Sequence, residues 1–233
     1  FDLDDTLYSE FDFVQSGFRA VAGYLEERFL FNKAWIFEKL IEIANKNGRG
    51  KVFDTLLEEL GLYSQERVKL LVHLYRSHIP RIQLDGGVMT TLRSLRQRNI
   101  QLGLVTDGMA SIQKNKVEAL GLDKFLDLII YTQQLGADCG KPSPIPFQVA
   151  LDVLQCKPLE AVYIGDDVAK DFQSPNAMGM LTIQVKKKFQ RRYISRENRN
   201  TSLAHYTVEH IEEILPIIFQ QTQSHKSSEM VNA

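Results

Sequence analysis

Hydrophobic residues between about residues 10 and 80 recur every three or four positions, which is the spacing of an amphipathic helix. Three further stripes follow the first one. The second stripe ends near Gly48 and the third at Gly61, and the fourth begins after Ser64, which can cap a helix. The pattern predicts four short helices that pack into a small bundle. The first stripe consists of Phe11, Val14, Phe18, Val21 and Leu25.

The pattern changes near residue 86, where short apolar runs begin to alternate with helical stretches. A helix that carries Val88, Leu92 and Leu95 precedes the first run. This alternation is typical of βαβ units and of a buried parallel sheet. The runs are Leu102–Val105, Leu126–Ile130, Ala161–Ile164 and Leu181–Val185.

Together the two patterns predict an α/β fold, with a Rossmann-like doubly wound parallel sheet as its core and a small helical bundle inserted into it. We expect residues 1–9 and 86–221 to form the core and residues 10–85 the insert. The polar tail over residues 222–233 is expected to be disordered. A buried strand ending at Asp2 would need several apolar residues before Phe1, so we interpret the sequence as a fragment or a trimmed chain.

Composition and charge narrow the functional classes. A net charge of -1 over 233 residues argues against a dedicated nucleic-acid binder, whose domain is normally strongly basic. No run approaches the ~20 apolar residues that span a bilayer, and no basic-then-apolar signal segment opens the chain, so no membrane partner is expected. The chain has two cysteines, Cys139 and Cys156. So few cysteines in a chain of this size argue against a disulfide framework, which favours a reducing cytoplasm.

Polar clusters follow four of the predicted strands at their carboxyl ends, where doubly wound sheets bind ligands. Asp2 and Asp4 lie two residues apart at a strand end, so their carboxylates emerge on the same side. Each cluster alone is most simply a turn, a cap or a loop, but four at one rim can complete a phosphoryl-transfer site. The other three are Thr106-Asp107-Gly108, Gly140-Lys141-Pro142, and Gly165-Asp166-Asp167 with Asp171.

Taken in order, the clusters resemble the motifs of the haloacid dehalogenase-like hydrolase superfamily. The resemblance covers the core from residue 1 to about residue 190, and the motif set is specific for the superfamily but weak for the substrate. The insert is similar in position to the helical cap of the branch that includes many small-metabolite phosphatases. The matching residues are Asp2-Leu3-Asp4-Asp5-Thr6, Thr106, Lys141-Pro142, and Gly165-Asp166-Asp167 with Asp171.

The resemblance implies a role for each motif residue. Asp2 is the expected nucleophile, which forms an aspartyl-phosphate, and Asp4 would protonate the leaving oxygen and then activate water. Lys141 would neutralise charge on Asp2 and on the transferring group. The expected substrate-binding groups are the Thr106 hydroxyl, the backbone amides of Asp107 and Gly108, and Lys141.

Mg²⁺ is the expected cofactor, because hard oxygen ligands suit it. The implied ligands are the Asp2 side chain, the Asp4 backbone carbonyl and Asp166. Asp167 is the further candidate for the metal site, and Asp171 would support the ligands from behind. Asp167 is equally well interpreted as a supporting or solvent-facing residue. Three residues are expected to shape loops rather than to react or to bind metal: Asp5, Thr6 and Asp107.

Two further polar stretches have open interpretations. The basic stretch over residues 186–199 could contact nucleic acid or attract an anionic substrate to the nearby rim, but we favour a solvated loop because the whole chain is nearly neutral. A loop of the insert carries a second polar group that could select the leaving group or form an ordinary exposed turn. Its residues are Asn45, Asn47, Arg49 and Lys51.

The presence of Asp4 favours phosphoryl transfer over the other reactions of the superfamily. Dehalogenases of the family lack this second aspartate, because a carbon–halogen bond needs no general acid on an alcohol, and nothing singles out Lys39 or Lys46 for phosphonate cleavage. The sequence therefore predicts a cytoplasmic, Mg²⁺-dependent phosphatase, a monomer or homodimer, whose cap closes over a small phosphomonoester. Sugar phosphates, sugar-acid phosphates and nucleoside monophosphates are the candidate substrates. A phosphomutase of the same superfamily and a non-catalytic binding protein that retains the fold are the alternatives.

Overall fold

The chain divides into two compact units. A computed structural model describes residues 1–186 and 202–221. Phe1–Ser9 and Leu84–Ala233 form the core unit, and Glu10–Gln83 form the inserted unit. The second boundary lies two residues before the predicted position between residues 85 and 86. The predicted disordered tail, and the basic stretch beyond residue 186, lie outside the described residues.

The inserted unit is a bundle of helices in the segments where the apolar stripes predict them. The side chain of Asn32 accepts a hydrogen bond from a backbone amide at the start of α2, and Ser64 does the same at the start of α4, which satisfies amides that have no partner within the helix. The buried stripe residues of all four helices pack into one apolar core. The helices are α1 Glu10–Phe29, α2 Lys33–Asn47, α3 Val52–Glu59 and α4 Gln65–Ser77.

The core unit contains parallel strands, which confirms the predicted α/β fold. β1 pairs with β2, and β3 pairs with β4, which in turn pairs with β5. The first four strands lie in the predicted apolar runs. The short strand β5 was not predicted, and two of its three residues are exposed. The described strands are β1 Gly103–Thr106, β2 Leu128–Tyr131, β3 Val162–Gly165, β4 Leu181–Val185 and β5 Tyr206–Val208.

Phe1 and Asp2 lie between β1 and β3. The amide of Asp2 donates to the carbonyl of Ile164 at 2.8 Å, and the carbonyl of Phe1 accepts from the amide of Val105 at 2.9 Å. The amino group of Phe1 also donates to the carbonyl of Gly103 at 2.8 Å. These bonds join the two groups of strands in the order β2, β1, Phe1–Asp2, β3, β4 and β5, and they hold Asp2 from both sides.

Helices connect the strands of the core unit. Val105, Ile130 and Tyr163, one from each of three strands, pack against Phe147 and Leu151 of α7, so one apolar layer fixes these strands. None of the helices within the described ranges is long and apolar enough to cross a bilayer. The helices are α5 Val88–Gln97, α6 Ala110–Leu120, α7 Ile145–Leu154 and α8 Gln173–Met178, with further helical turns over residues 214–221.

Candidate active site

The predicted site residues follow the carboxyl ends of neighbouring strands. Thr106 is the last residue of β1, Asp166 follows β3 directly, and Asp2 lies between these two strands. Lys141 comes from the loop after β2, and its side chain is fully buried. Because the strands are parallel, their carboxyl ends share one edge of the sheet and bring the four side chains together.

A tight loop carries the chain from Asp2 to Asp4 and beyond. Asp5 has a φ of 57°, a left-handed conformation that aspartate tolerates better than most residues. Thr6 is fully buried, and its hydroxyl lies 3.2 Å from Asp2 Oδ2 and 3.5 Å from Asp166 Oδ1. Asp5 and Thr6 therefore lie where a loop-shaping role would place them.

Lys141 is at the centre of the site. Its Nζ donates to Asp2 Oδ1 at 2.5 Å, to Asp171 Oδ1 at 2.7 Å and to the Tyr163 hydroxyl at 3.1 Å. Burial alone would lower the pKa of Lys141, but the Asp2 carboxylate, with Tyr163 and Asp171, outweighs it and raises the pKa well above its usual value. Lys141 is therefore a permanent cation beside the Asp2 carboxylate.

Asp2, Asp166 and Asp171 form a carboxylate cluster, with oxygen atoms that all lie within 4.8 Å of one another. Burial, with the charge of Asp171, outweighs Lys141 and raises the pKa of Asp2 to about 6. Burial, followed by the charges of Asp2 and Asp171, raises the pKa of Asp166 to about 9. Lys141 and Lys170 do not offset this burial and mutual repulsion, so the cluster lacks positive charge. This donor set fits a hard divalent cation such as Mg²⁺.

Asp167 and Asp171 differ in their position relative to this cluster. Asp171 is fully buried, and its Oδ2 accepts from the amides of Asp166 at 3.1 Å and Asp167 at 2.9 Å. The Asp167 carboxylate instead accepts from the amide of Ala169 at 2.9 Å and lies 3.9 Å from Lys170 Nζ. Both carboxylates therefore hold the turn, but among the described residues it is Asp171, not Asp167, that belongs to the carboxylate cluster.

Asp4 has different surroundings from Asp2. Its Oδ1 accepts from the Tyr8 hydroxyl at 2.5 Å and from Lys116 Nζ at 2.7 Å. Its Oδ2 accepts from Lys116 Nζ at 2.9 Å and from Gln113 Nε2 at 2.8 Å. Burial raises the pKa of Asp4, but Lys116, with help from Tyr8 and Gln113, outweighs burial and brings the pKa below its usual value.

Gln113 and Lys116 are absent from the predicted site residues. They lie on the buried face of α6 together with Val117 and Leu120, at the spacing of one helical stripe. A sequence signal for them does exist, since two polar residues occupy inward positions of a helix that directly follows the second motif. Buried polar side chains need partners, and here the partners belong to the site.

Thr106 is buried at the end of β1, and its Oγ1 accepts a hydrogen bond from Gln113 Nε2 at 2.6 Å. Because the oxygen accepts this bond, the hydroxyl hydrogen of Thr106 is directed elsewhere, which suits donation to a phosphate oxygen. Gly108 follows with a φ of 112°, a backbone conformation that favours glycine. The structure is therefore compatible with the predicted phosphate-binding role of this turn.

The Asp107 side chain is occupied within the protein. Its Oδ1 accepts from the Thr132 hydroxyl at 2.7 Å and from the Lys141 amide at 3.1 Å. Asp107 thereby connects the loop that carries Lys141 to the end of β1, in keeping with the expected loop-shaping role. The predicted contact of Asp107 with the substrate involves its backbone amide, not this side chain.

The polar loop of the inserted unit lies at the surface of that unit. Asn45, Asn47 and Lys51 are exposed, and Arg49 pairs with Glu10 of the same unit at 2.9 Å. Lys39 likewise pairs with two glutamates of the inserted unit. A role for this loop in selecting the leaving group stays a prediction.

A mostly apolar cavity of about 430 Å³ lies elsewhere in the core unit. Its lining includes Gln101 and Leu102 before β1 and Ala161 and Val162 at the start of β3. These positions are at the amino ends of the strands, whereas the polar site residues follow the carboxyl ends. The lining also includes Phe1, Val105 and Tyr163, so the cavity extends along the strands toward residues that support the candidate site.

Comparisons with known proteins agree with this geometry. The model of the haloacid dehalogenase-like hydrolase family matches residues 1–185. A glyceraldehyde 3-phosphate phosphatase of Methanocaldococcus jannaschii is 30% identical over 227 residues, which cover 94% of this chain and 95% of that protein.

Two solved structures show the same fold. One is a putative β-phosphoglucomutase of Thermotoga maritima, with a TM-score of 0.62 and 20% identity over 94% of this chain and 96% of that one. The other is a HAD phosphatase from Thermococcus onnurineus, with a TM-score of 0.59 and 22% identity over 93% and 95% of the two chains. At these identities the likeness concerns the fold alone.

Proposed function

This chain belongs to the haloacid dehalogenase-like hydrolase family, and we propose that it is a Mg²⁺-dependent phosphatase that forms an aspartyl-phosphate on Asp2. The observation that carries the proposal is the pairing of Asp2 with the buried Lys141 inside a cluster of three carboxylates. Asp4 lies two residues away in an independent network. The proposed nucleophile, Asp2, and the proposed proton carrier, Asp4, are therefore neighbours that different side chains hold in place.

The substrate class that we propose is a small sugar-type phosphate. The similarity to a glyceraldehyde 3-phosphate phosphatase extends over 94% of this chain, so a three-carbon aldehyde phosphate is the first compound to test. Sugar-acid phosphates and nucleoside monophosphates complete the panel.

In the first half-reaction, a carboxylate oxygen of Asp2 attacks phosphorus, and the bond between phosphorus and the substrate oxygen breaks. Asp4, whose lowered pKa leaves it ionised in the free protein, must first take up a proton. It then donates that proton to the leaving oxygen, which departs as an alcohol. In the second half-reaction, water attacks the phosphorus of the aspartyl-phosphate while Asp4 accepts its proton. Inorganic phosphate leaves, and the Asp2 carboxylate is restored.

The surrounding residues stabilise charge during both steps. Lys141 balances the charge of Asp2 and of the transferring group, and the Thr106 hydroxyl donates to a phosphate oxygen. Asp2, Asp166 and Asp171, with the Asp4 carbonyl that the family resemblance implies, would hold Mg²⁺. When bound, the ion supplies positive charge that lets an anionic substrate approach the carboxylates.

The test is phosphate release from this panel, with Mg²⁺ and with EDTA. We expect release that depends on Mg²⁺, and a transient label on Asp2 when the substrate carries ³²P. Undiminished release in EDTA, or a label on another residue, would contradict the mechanism. Formation of an isomeric sugar phosphate without inorganic phosphate would identify a phosphomutase instead.

We also propose that the protein works in the cytoplasm. Cys139 is buried and Cys156 is half-buried, and both are free thiols, as a reducing compartment permits. Cell fractionation tests this location. Light scattering on the purified protein tests the predicted monomer or homodimer.

A further inference from the structure

Lys116 occupies a costly position on α6. Its side chain is 4% exposed, whereas the Asp4 side chain that it contacts is 25% exposed. The carboxylate therefore reaches the accessible side of the site, and the ammonium group lies behind it. Removing a charge from water is unfavourable, and an apolar side chain could pack in its place. A packing role alone therefore does not account for a lysine at this position.

Lys116 and its neighbours fix the orientation of the Asp4 carboxylate. The ammonium group contacts both carboxylate oxygens, at 2.7 and 2.9 Å, so rotation about the last side-chain bond would lengthen one contact. Tyr8 and Gln113 each bind one of the oxygens as well. Because both oxygens have protein donors, the plane of the carboxylate is set by the protein before any substrate arrives.

Gln113 connects Asp4 to Thr106. Its Nε2 donates to Asp4 Oδ2 at 2.8 Å and to Thr106 Oγ1 at 2.6 Å, and the residue is buried. One amide thus relates the position of the carboxylate to that of the proposed phosphate-binding hydroxyl.

We propose that Lys116 and Gln113 are positioning residues for proton transfer by Asp4. They aim the carboxylate first at the leaving oxygen and then at the attacking water, without touching the substrate themselves. This inference rests on the proposed function, because it assigns the parts of the Asp4 network within the aspartyl-phosphate mechanism.

The experiment compares two leaving groups in a Lys116→Met variant. An alkyl phosphate needs a proton on its leaving oxygen, whereas p-nitrophenolate leaves readily without one. We expect kcat for the alkyl phosphate to fall about 100-fold, in the range of general acid–base catalysis, with KM changed by less than about threefold. With p-nitrophenyl phosphate we expect a rapid burst of nitrophenol, followed by slow turnover as the aspartyl-phosphate waits for water.

Two more variants complete the design. Lys114→Met removes a lysine from the same helix that is 66% exposed and pairs with Glu118 at 3.9 Å, and it should leave both substrates unaffected. Gln113→Met repeats the test without removing a buried charge, in case Lys116→Met does not fold. It should show the same split between substrates, with a smaller loss.

The outcomes are distinct. A rapid nitrophenol burst in the variant, together with slow phosphorylation by the alkyl phosphate, supports the inference. An equal loss on both substrates, including the burst, or no loss at all in a folded variant, overturns it. If the unaltered protein forms no phosphorylated Asp2, the proposed function fails, and this inference fails with it; that result is recognised from the unaltered protein alone.

Discussion

Asp2 and Asp4 are two residues apart, yet the protein gives them opposite electrostatic surroundings. Asp2 shares Lys141 with Asp171 and lies beside Asp166, so carboxylates outnumber the buried lysine. Asp4 has Lys116 at 2.7 Å and two neutral hydrogen-bond donors. The pKa of Asp2 is accordingly raised to about 6, while that of Asp4 is lowered.

The difference indicates how one loop can serve two chemical purposes. Excess negative charge around Asp2 attracts a divalent cation, and the cation in turn favours an anionic phosphoryl group. The network around Asp4 has no such excess and favours the ionised carboxylate, which can accept a proton. Changing the charge balance on either side should therefore have separable effects.

The largest effect should come from replacing either of the two carboxylates by an amide. Asp2→Asn should lower kcat by ~10⁴-fold or more, because no nucleophile remains, and it should leave no phosphorylated protein. Asp4→Asn should lose ~10²–10⁴-fold but still form the phosphorylated species from an aryl phosphate. Rapid-quench labelling with ³²P separates the two results.

A matched control for these variants is Asp152→Asn. Asp152 is exposed on α7 and bonds to Gln148 of the same helix, so activity should not change. Equal behaviour of Asp2→Asn and Asp4→Asn in the labelling experiment would remove the distinction between the two carboxylates.

The next largest effect concerns Lys141→Met, which leaves three carboxylates without their buried cation. We expect a loss of roughly 10²–10³-fold in kcat and a destabilisation of about 3–5 kcal/mol, as for other broken buried pairs. Added Mg²⁺ should raise the melting temperature of this variant more than that of the unaltered protein, because the unbalanced charge is larger. An equal Mg²⁺ response of both proteins in thermal unfolding would contradict this account.

A smaller effect distinguishes Asp171 from Asp167. Asp171→Asn should weaken Mg²⁺ binding by roughly 10–100-fold, since it removes charge from the cluster. Asp167→Asn, the matched change four residues earlier, should leave Mg²⁺ binding within about threefold. Isothermal titration with Mg²⁺ measures both. The reverse order would restore Asp167 as the ligand that the sequence first suggested.

The smallest effect is expected for Tyr8→Phe. It removes one hydrogen bond to Asp4 and leaves those of Lys116 and Gln113 in place. A loss of about 1 kcal/mol corresponds to roughly a fivefold fall in kcat, with little change in Mg²⁺ affinity. Steady-state kinetics at several Mg²⁺ concentrations would show this. A weakened Mg²⁺ response would mean that the two networks are not independent.

Thr106 and Asp166 could be predicted from the sequence because each directly follows a predictable apolar run. Lys141 is less obvious, since a loop separates it from β2. Lys116 and Gln113 were missed, because helical periodicity records which face is buried but not what that face contacts. β5 escaped prediction since two of its three residues are exposed. The choice between Asp167 and Asp171 depended on loop geometry that spacing alone does not determine.

The backbone bonds of Asp2 have a dynamic consequence. Its amide is bonded to β3, while the neighbouring carbonyl of Phe1 is bonded to β1. A local opening that exposes this amide to exchange with deuterium breaks its bond to Ile164 and parts the nucleophile from β3, which Asp166 directly follows. The exchange rate at this single position would therefore report how often the assembled site comes apart, without any substrate being present.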